Sequence, residues 1–191
     1  MRTEVAKGLP MRRSLLAKQG FRVNTLSEMA SRGTIFRVAR GVYVAAEGSS
    51  SEYFDYEIAA AAVPSGVFTL LSALRLHHLT DENPRKMTMA IPANRHPPKT
   101  SIPLDFVYAE PSRLACDVET MMPHDAPFRV FTLERTLVEC FRARHKIGVD
   151  VAVAALRQAM AERRIIFPTL ARCMEEGRMT RIMAPYVEAF S

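Results

Sequence analysis

LSEMASRGTIFRVARGVYV, residues 26–44, decides how this chain begins. Leu26, Met29 and Ala30 recur at helical spacing, and Gly33 closes the run. Two β-type runs follow, 35–38 and 42–44, on either side of Ala39-Arg40-Gly41. Gly41 can take the left-handed backbone that a three-residue hairpin loop often needs. Arg37 and Arg40 stand on and beside that turn. Upstream, 10–19 reads as a short helix, with Pro10 in its first turn, Met11, Leu15 and Leu16 on its apolar side, and Gly20 closing it. Thr25 and Glu28 have capping-box spacing, which starts the second helix at Thr25 and runs it to Arg32. Helix, one-glycine turn, helix, hairpin is the order of a winged helix-turn-helix whose usual first helix is missing or very short.

Charge singles out the same segment. The first 46 residues hold nine basic side chains against Glu4 and Glu28, a net +7, while the remaining 145 come to −1. A basic module joined to a near-neutral body suits a polyanion such as DNA. Arg12, Arg13, Arg22, Arg32, Arg37 and Arg40 are the candidate phosphate or minor-groove contacts. Asn24, Thr25, Ser27 and Ser31 are the polar candidates on the recognition helix. They predict contact without predicting sequence.

The body begins after a polar linker, 45–52, so the expected division is 1–46 and 52–191. Helices are expected over 53–63 and 69–77. Strands are expected over 86–91 and 104–108, separated by the Pro-rich loop 92–103, and more weakly over 118–122 and 128–131. Four helices follow, over 133–144, 149–163, 168–176 and 179–190. In the first of these, Leu133, Leu137, Cys140 and Phe141 fall at i, i+4, i+7 and i+8, one buried face. The mixed order makes the fold class α+β. With 48% hydrophobic residues the chain can bury a core without staples. Cys116, Cys140 and Cys173 are too few and too far apart for a disulfide framework or a CxxC pair, and read as small buried hydrophobes in a reducing compartment. The first 21 residues lack a secretory h-region and no apolar run reaches membrane-spanning length, so the expected location is cytoplasmic, with no membrane partner.

Catalytic patterns are weak. Ser49 and the Asp55-x-Glu57 pair loosely suggest a nucleotidyltransferase, but they also fit a linker leading into a helix with an acidic first turn. His77 and His78 are adjacent and point to different faces, unlike an i, i+4 metal pair. No phosphate loop or carboxylate–lysine nuclease pattern is present, so no catalytic residue, metal or cofactor is expected. Met87 and Met89 read as sheet packing.

Four segments in order carry a family likeness: LLAKQGF with the 26–44 stretch, LLSALRLHHLTDENP (70–84), FRVFTLERTLVECFRARHKIGVDVAVAAL (128–156) and MAPYVEAF (183–190). In these segments the chain resembles the AbiEi family of antitoxins from bacterial abortive-infection systems. Glu139 stands where that pattern more often has Asp. The resemblance implies a winged-helix repressor that binds inverted repeats in its own promoter. It also implies a C-terminal domain that counters a nucleotidyltransferase-like toxin without forming a stable complex, and no enzymatic activity. Arg142, Arg144, Lys146 and Arg157 are candidates for a functional basic surface on that domain, or for a solvated helix face. A nuclease-like enzyme with a winged-helix head and a ligand-responsive regulator without a toxin are the alternatives.

Overall fold

The computed structural model describes residues 8–46, 52–97, 100, 102–123 and 126–190. The linker positions 47–51, including Ser49, and His124 lie outside them. The mixed α+β class expected from the sequence is what the described residues form.

The first unit is β1 (Met11–Arg12), α1 (Arg13–Lys18), α2 (Val23–Ser31), β2 (Ile35–Ala39) and β3 (Val42–Ala45). Its antiparallel sheet has the order β1-β3-β2. Met11, Leu16, Leu26 and Ile35 form its core, with Phe21, Met29, Ala30 and Tyr43 packed around them.

Three local expectations are corrected. Pro10–Gln19 is not one helix, because Met11 and Arg12 pair with Tyr43 and Val42. Helical periodicity cannot reveal that a distant strand offers open hydrogen-bonding groups. The capping box does not form either: Arg22 is the N-cap, it carries no side-chain cap bond, and Thr25 already lies inside α2. The hairpin loop has two residues, since Ala39 pairs with Val42, and a bulge between Arg37 and Ala39 absorbs the extra one.

The second unit holds α3 (Phe54–Ala62), β4 (Val67–Phe68), α4 (Leu70–Leu76), β5 (Met87–Pro92), β6 (Leu104–Ala109), β7 (Val118–Met121) and β8 (Phe128–Phe131). The helices α5 (Leu133–Arg142), α6 (Arg144–Ile147), α7 (Val149–Ala161), α8 (Phe167–Glu176) and α9 (Thr180–Phe190) complete it. The sheet order is β6-β5-β4-β8-β7, mixed in direction. The Pro-rich segment after β5 carries the chain back to start β6 parallel to β5. The two-residue strand β4 has no periodicity to betray it, yet it is the centre of the sheet, antiparallel to β5 and parallel to β8.

Helix α5 buries more than the single expected face. Besides Leu137, Cys140 and Phe141, it buries Glu134, Arg135, Thr136 and Val138, because α4, α7 and α8 pack around it. The thiols of Cys140 and Cys173 are buried as expected, but Cys116 is exposed. In its turn Leu114 takes the buried place instead.

Helix α3 serves both units. Tyr56, Ala59 and Val63 pack with Phe68, Met89 and Phe128 of the larger sheet, while the same helix also lies against β1, β2 and β3. Val42 and Val44, on the face of β3 opposite Tyr43, are buried. A β-bridge between Ala39 and Thr100 joins the units a second time. The boundary expected at residue 46 is therefore not a packing boundary.

Candidate nucleic-acid interface

The ten residues expected to meet DNA are all exposed: Arg12, Arg13, Arg22, Asn24, Thr25, Ser27, Ser31, Arg32, Arg37 and Arg40. Lys18, at the end of α1, is exposed too and belongs with them, although its position in a helix end gave no separate signal. Glu28 is the only acidic residue among the described residues of this unit. Among the described residues none of its seven basic groups is held in an ion pair. Among the described residues their charge has no paired carboxylate.

The strands sort these residues by face. Met11, Tyr43 and Arg37 are register partners, so Arg37 leaves the sheet on the side that carries Met11 and Tyr43 in the small core. Its Nε donates to the carbonyl of Ala39 at 3.4 Å, steadying it beside the turn. The backbone N–H of Arg13 donates to the Gly41 carbonyl at 2.7 Å, which ties the start of α1 to the hairpin tip. Arg12 goes the other way, into a groove that Glu57 and Arg129 also line, apart from α2. On α2, the Ser27 hydroxyl donates to Val23 O at 3.2 Å and that of Ser31 to Glu28 O at 2.8 Å. Those two side chains must give up local bonds to donate elsewhere.

Gly41 has φ +74°, the left-handed region a β-branched residue avoids. Gly41→Val is expected to destabilise the chain by about 1–2 kcal/mol. Thermal unfolding checks this, and an unchanged midpoint would mean that the turn relaxes without cost.

In the body, two of the four weaker candidates are anchored. Arg142 donates to Gly177 O at 3.0 Å and Arg144 to Phe141 O at 3.0 Å, so both satisfy helix-end carbonyls. Lys146 and Arg157 stand exposed on α6 and α7. Sequence reasoning missed the charged cluster that Arg142 joins. Glu139 meets Arg135 at 2.6 Å, Arg142 at 3.4 Å and Arg113 at 3.8 Å. Beside it, Arg172 pairs with Asp117 and with Glu176, and the hydrogen bond from Arg172 holds the Asp117 carboxyl below its ordinary range. Glu134-Arg135-Thr136 is a packing device: Glu134 accepts from Ile166 N at 2.8 Å, Arg135 reaches Glu139, and Thr136 donates to Phe131 O at 3.1 Å.

The fold has a relative among solved structures. The crystal structure of the RV2827C protein from Mycobacterium tuberculosis matches with a TM-score of 0.59 at 13% identity, over 87% of this chain and 66% of that one. At that identity the likeness is one of fold. No family model and no curated protein sequence matches the chain. Among the described residues no helix is long and apolar enough to cross a membrane, and no three His, Cys, Asp or Glu side chains are grouped to hold a metal ion.

A second concavity, of about 650 Å³, lies in the body among His77, His78, Glu119, Thr132, Glu134 and Arg164. His77 is 5% exposed, and its Nε2 donates to Phe131 O at 2.8 Å. Burial pushes its pKa below the ordinary 6.5, against the raising effects of the Phe131 bond and Glu119. The unfolded chain then takes up a proton that the folded chain refuses. Stability is expected to be full above pH 6.5 and to fall as pH drops below it toward the folded-state value. Urea unfolding of the wild type and His77→Gln across that window checks this: the substitution should flatten the slope, and identical slopes would sink the attribution.

Proposed function

We propose that this chain is a cytoplasmic DNA-binding repressor of its own operon and the antitoxin to a nucleotidyltransferase-like toxin. The observation that carries the DNA half is a strand–helix–helix–hairpin unit whose basic side chains are all exposed and unpaired among the described residues. That order, with sheet β1-β3-β2, fits a winged helix lacking its first helix, in which α2 enters the major groove and the Arg40-Gly41 turn is the wing. Basic groups left unpaired in the fold can replace the counterions condensed on a duplex. The antitoxin half rests on the AbiEi resemblance of the segments in α4, α5 to α7 and α9.

Two assays test the halves separately. Fluorescence anisotropy with the chain's own promoter fragment and a scrambled duplex should give tighter binding to the promoter. Equal affinity for both would reduce the unit to a non-specific polyanion binder. The proposal predicts a nucleotidyltransferase-like reading frame beside the gene; co-expression with its product should rescue growth, and failure to rescue would remove the antitoxin half while leaving the repressor intact.

A further inference from the structure

The groove beside His77 contains an arrangement that the proposed DNA and antitoxin roles do not use. Because the Phe131 carbonyl can only accept, Nε2 of His77 carries the proton, and in the neutral ring Nδ1 is a bare acceptor. Nδ1 faces Glu119 Oε1 at 3.7 Å. Two acceptors confront each other across a gap too wide for a direct bond, with no proton between them. Both residues line the groove. Thr132 adds a buried hydroxyl without a hydrogen-bond partner among the described residues.

The lining carries more negative than positive charge. Glu119 and Glu134 stand against Arg164, which is already engaged with Glu162 at 3.0 Å and with the His77 carbonyl at 2.8 Å. Glu134 has given one oxygen to Ile166 N, while Glu119 has, among the described residues, only the His77 contact. Around this polar floor the wall is apolar. Met122 and Ile166 line it and are 60% and 61% exposed, large apolar side chains left open to water. A groove with an acceptor pair at its floor and apolar walls fits a ligand with a donor head and an apolar body.

We propose that this groove binds a small primary amine with an apolar body, its ammonium donating to both His77 Nδ1 and Glu119. An ammonium has three donors and no acceptor, so it satisfies both facing acceptors at once and supplies the missing positive charge. A carboxylate of the same shape meets repulsion from Glu119, and an alcohol satisfies one acceptor but leaves the charge uncompensated. The apolar body lies against Met122 and Ile166. The site is independent of the DNA-binding reading, since it is built from α4, β7, the start of α5 and the segment before α8.

The test uses the full-length chain and phenethylamine, followed by amide NMR shifts, with phenylacetate, 2-phenylethanol and Zn²⁺ alone as comparison arms. Phenethylamine is expected to saturate a single site, with the largest shifts at Glu119, His77 and Ile166. Phenylacetate should cause none of these shifts. Glu119→Gln, at a half-exposed position that tolerates the change, should weaken the amine at least tenfold, as loss of a charged hydrogen bond implies. Ile166→Ala should weaken it several-fold with the spectrum otherwise unchanged. Equal binding of phenylacetate or 2-phenylethanol would overturn the proposal. So would undiminished amine affinity in Glu119→Gln, or saturation by Zn²⁺ with no response to the amine.

Discussion

A chain carrying Arg37→Ala and Arg40→Ala is expected to bind its promoter fragment with a salt slope shallower by up to ~1.8, because each phosphate contact contributes about 0.9. Affinity at low salt should fall steeply, while the unfolding midpoint stays close to the wild type, since both side chains are exposed. The two residues differ in what holds them. Arg37 is steadied by the Ala39 carbonyl, and Arg40 sits in the two-residue turn itself. Single substitutions should therefore separate a side chain held by a backbone carbonyl from one placed by the turn itself. Arg12→Ala is the internal control. Its side chain leaves the opposite face of the sheet, so its loss should leave the slope near the wild-type value. If the double variant keeps both affinity and slope, the hairpin is not a wing that meets DNA.

Glu139→Ala is expected to cost about 3–5 kcal/mol of stability, the range for removing one member of a buried ion pair. Arg135 is 3% exposed, and its buried charge would lose the carboxylate it pairs with. Arg142 and Arg113 lose the same partner. Replacing Arg135 by Met together with Glu139 by Leu should cost less than Glu139→Ala alone, because the most buried of the three arginine charges is then removed and only the more exposed Arg113 and Arg142 are left without this partner. Urea unfolding measures both. A loss below about 1 kcal/mol for Glu139→Ala would show that solvent screens this cluster as it does a surface pair.

The two predictions draw on what was legible in different degrees. The small unit was legible as an order of elements, because short elements joined by glycine turns leave local marks, while its first strand, its helix cap and its loop length were not. Leu26 and the Gly41 turn lie where periodicity and turn chemistry put them. Most of what else escaped was non-local. The strand at Met11–Arg12 exists only because β3 offers it partners, and β4 is two residues in a sheet assembled from distant segments. Glu139 was noticed only as a departure from a family pattern, and its three arginine partners come from α5 and from the turn after β6. No spacing rule connects Arg113 to Glu139. His77 was set aside as half of an adjacent histidine pair, and its meaning lies in Glu119, which approaches from β7.

Helix α3 bears on how such a head could be exchanged between proteins. A breakpoint drawn by charge at residue 46 would leave Val42 and Val44 without the helix that lies over their sheet, and would leave α3 with one flank stripped in the recipient. A graft that carries residues 1–62 keeps the seam between α3 and the small sheet, and moves the mismatch to the face of α3 that meets Phe68, Met89 and Phe128. Either cut opens one side of α3, so a new head is compatible with this body only where the residues on both faces of that helix are matched.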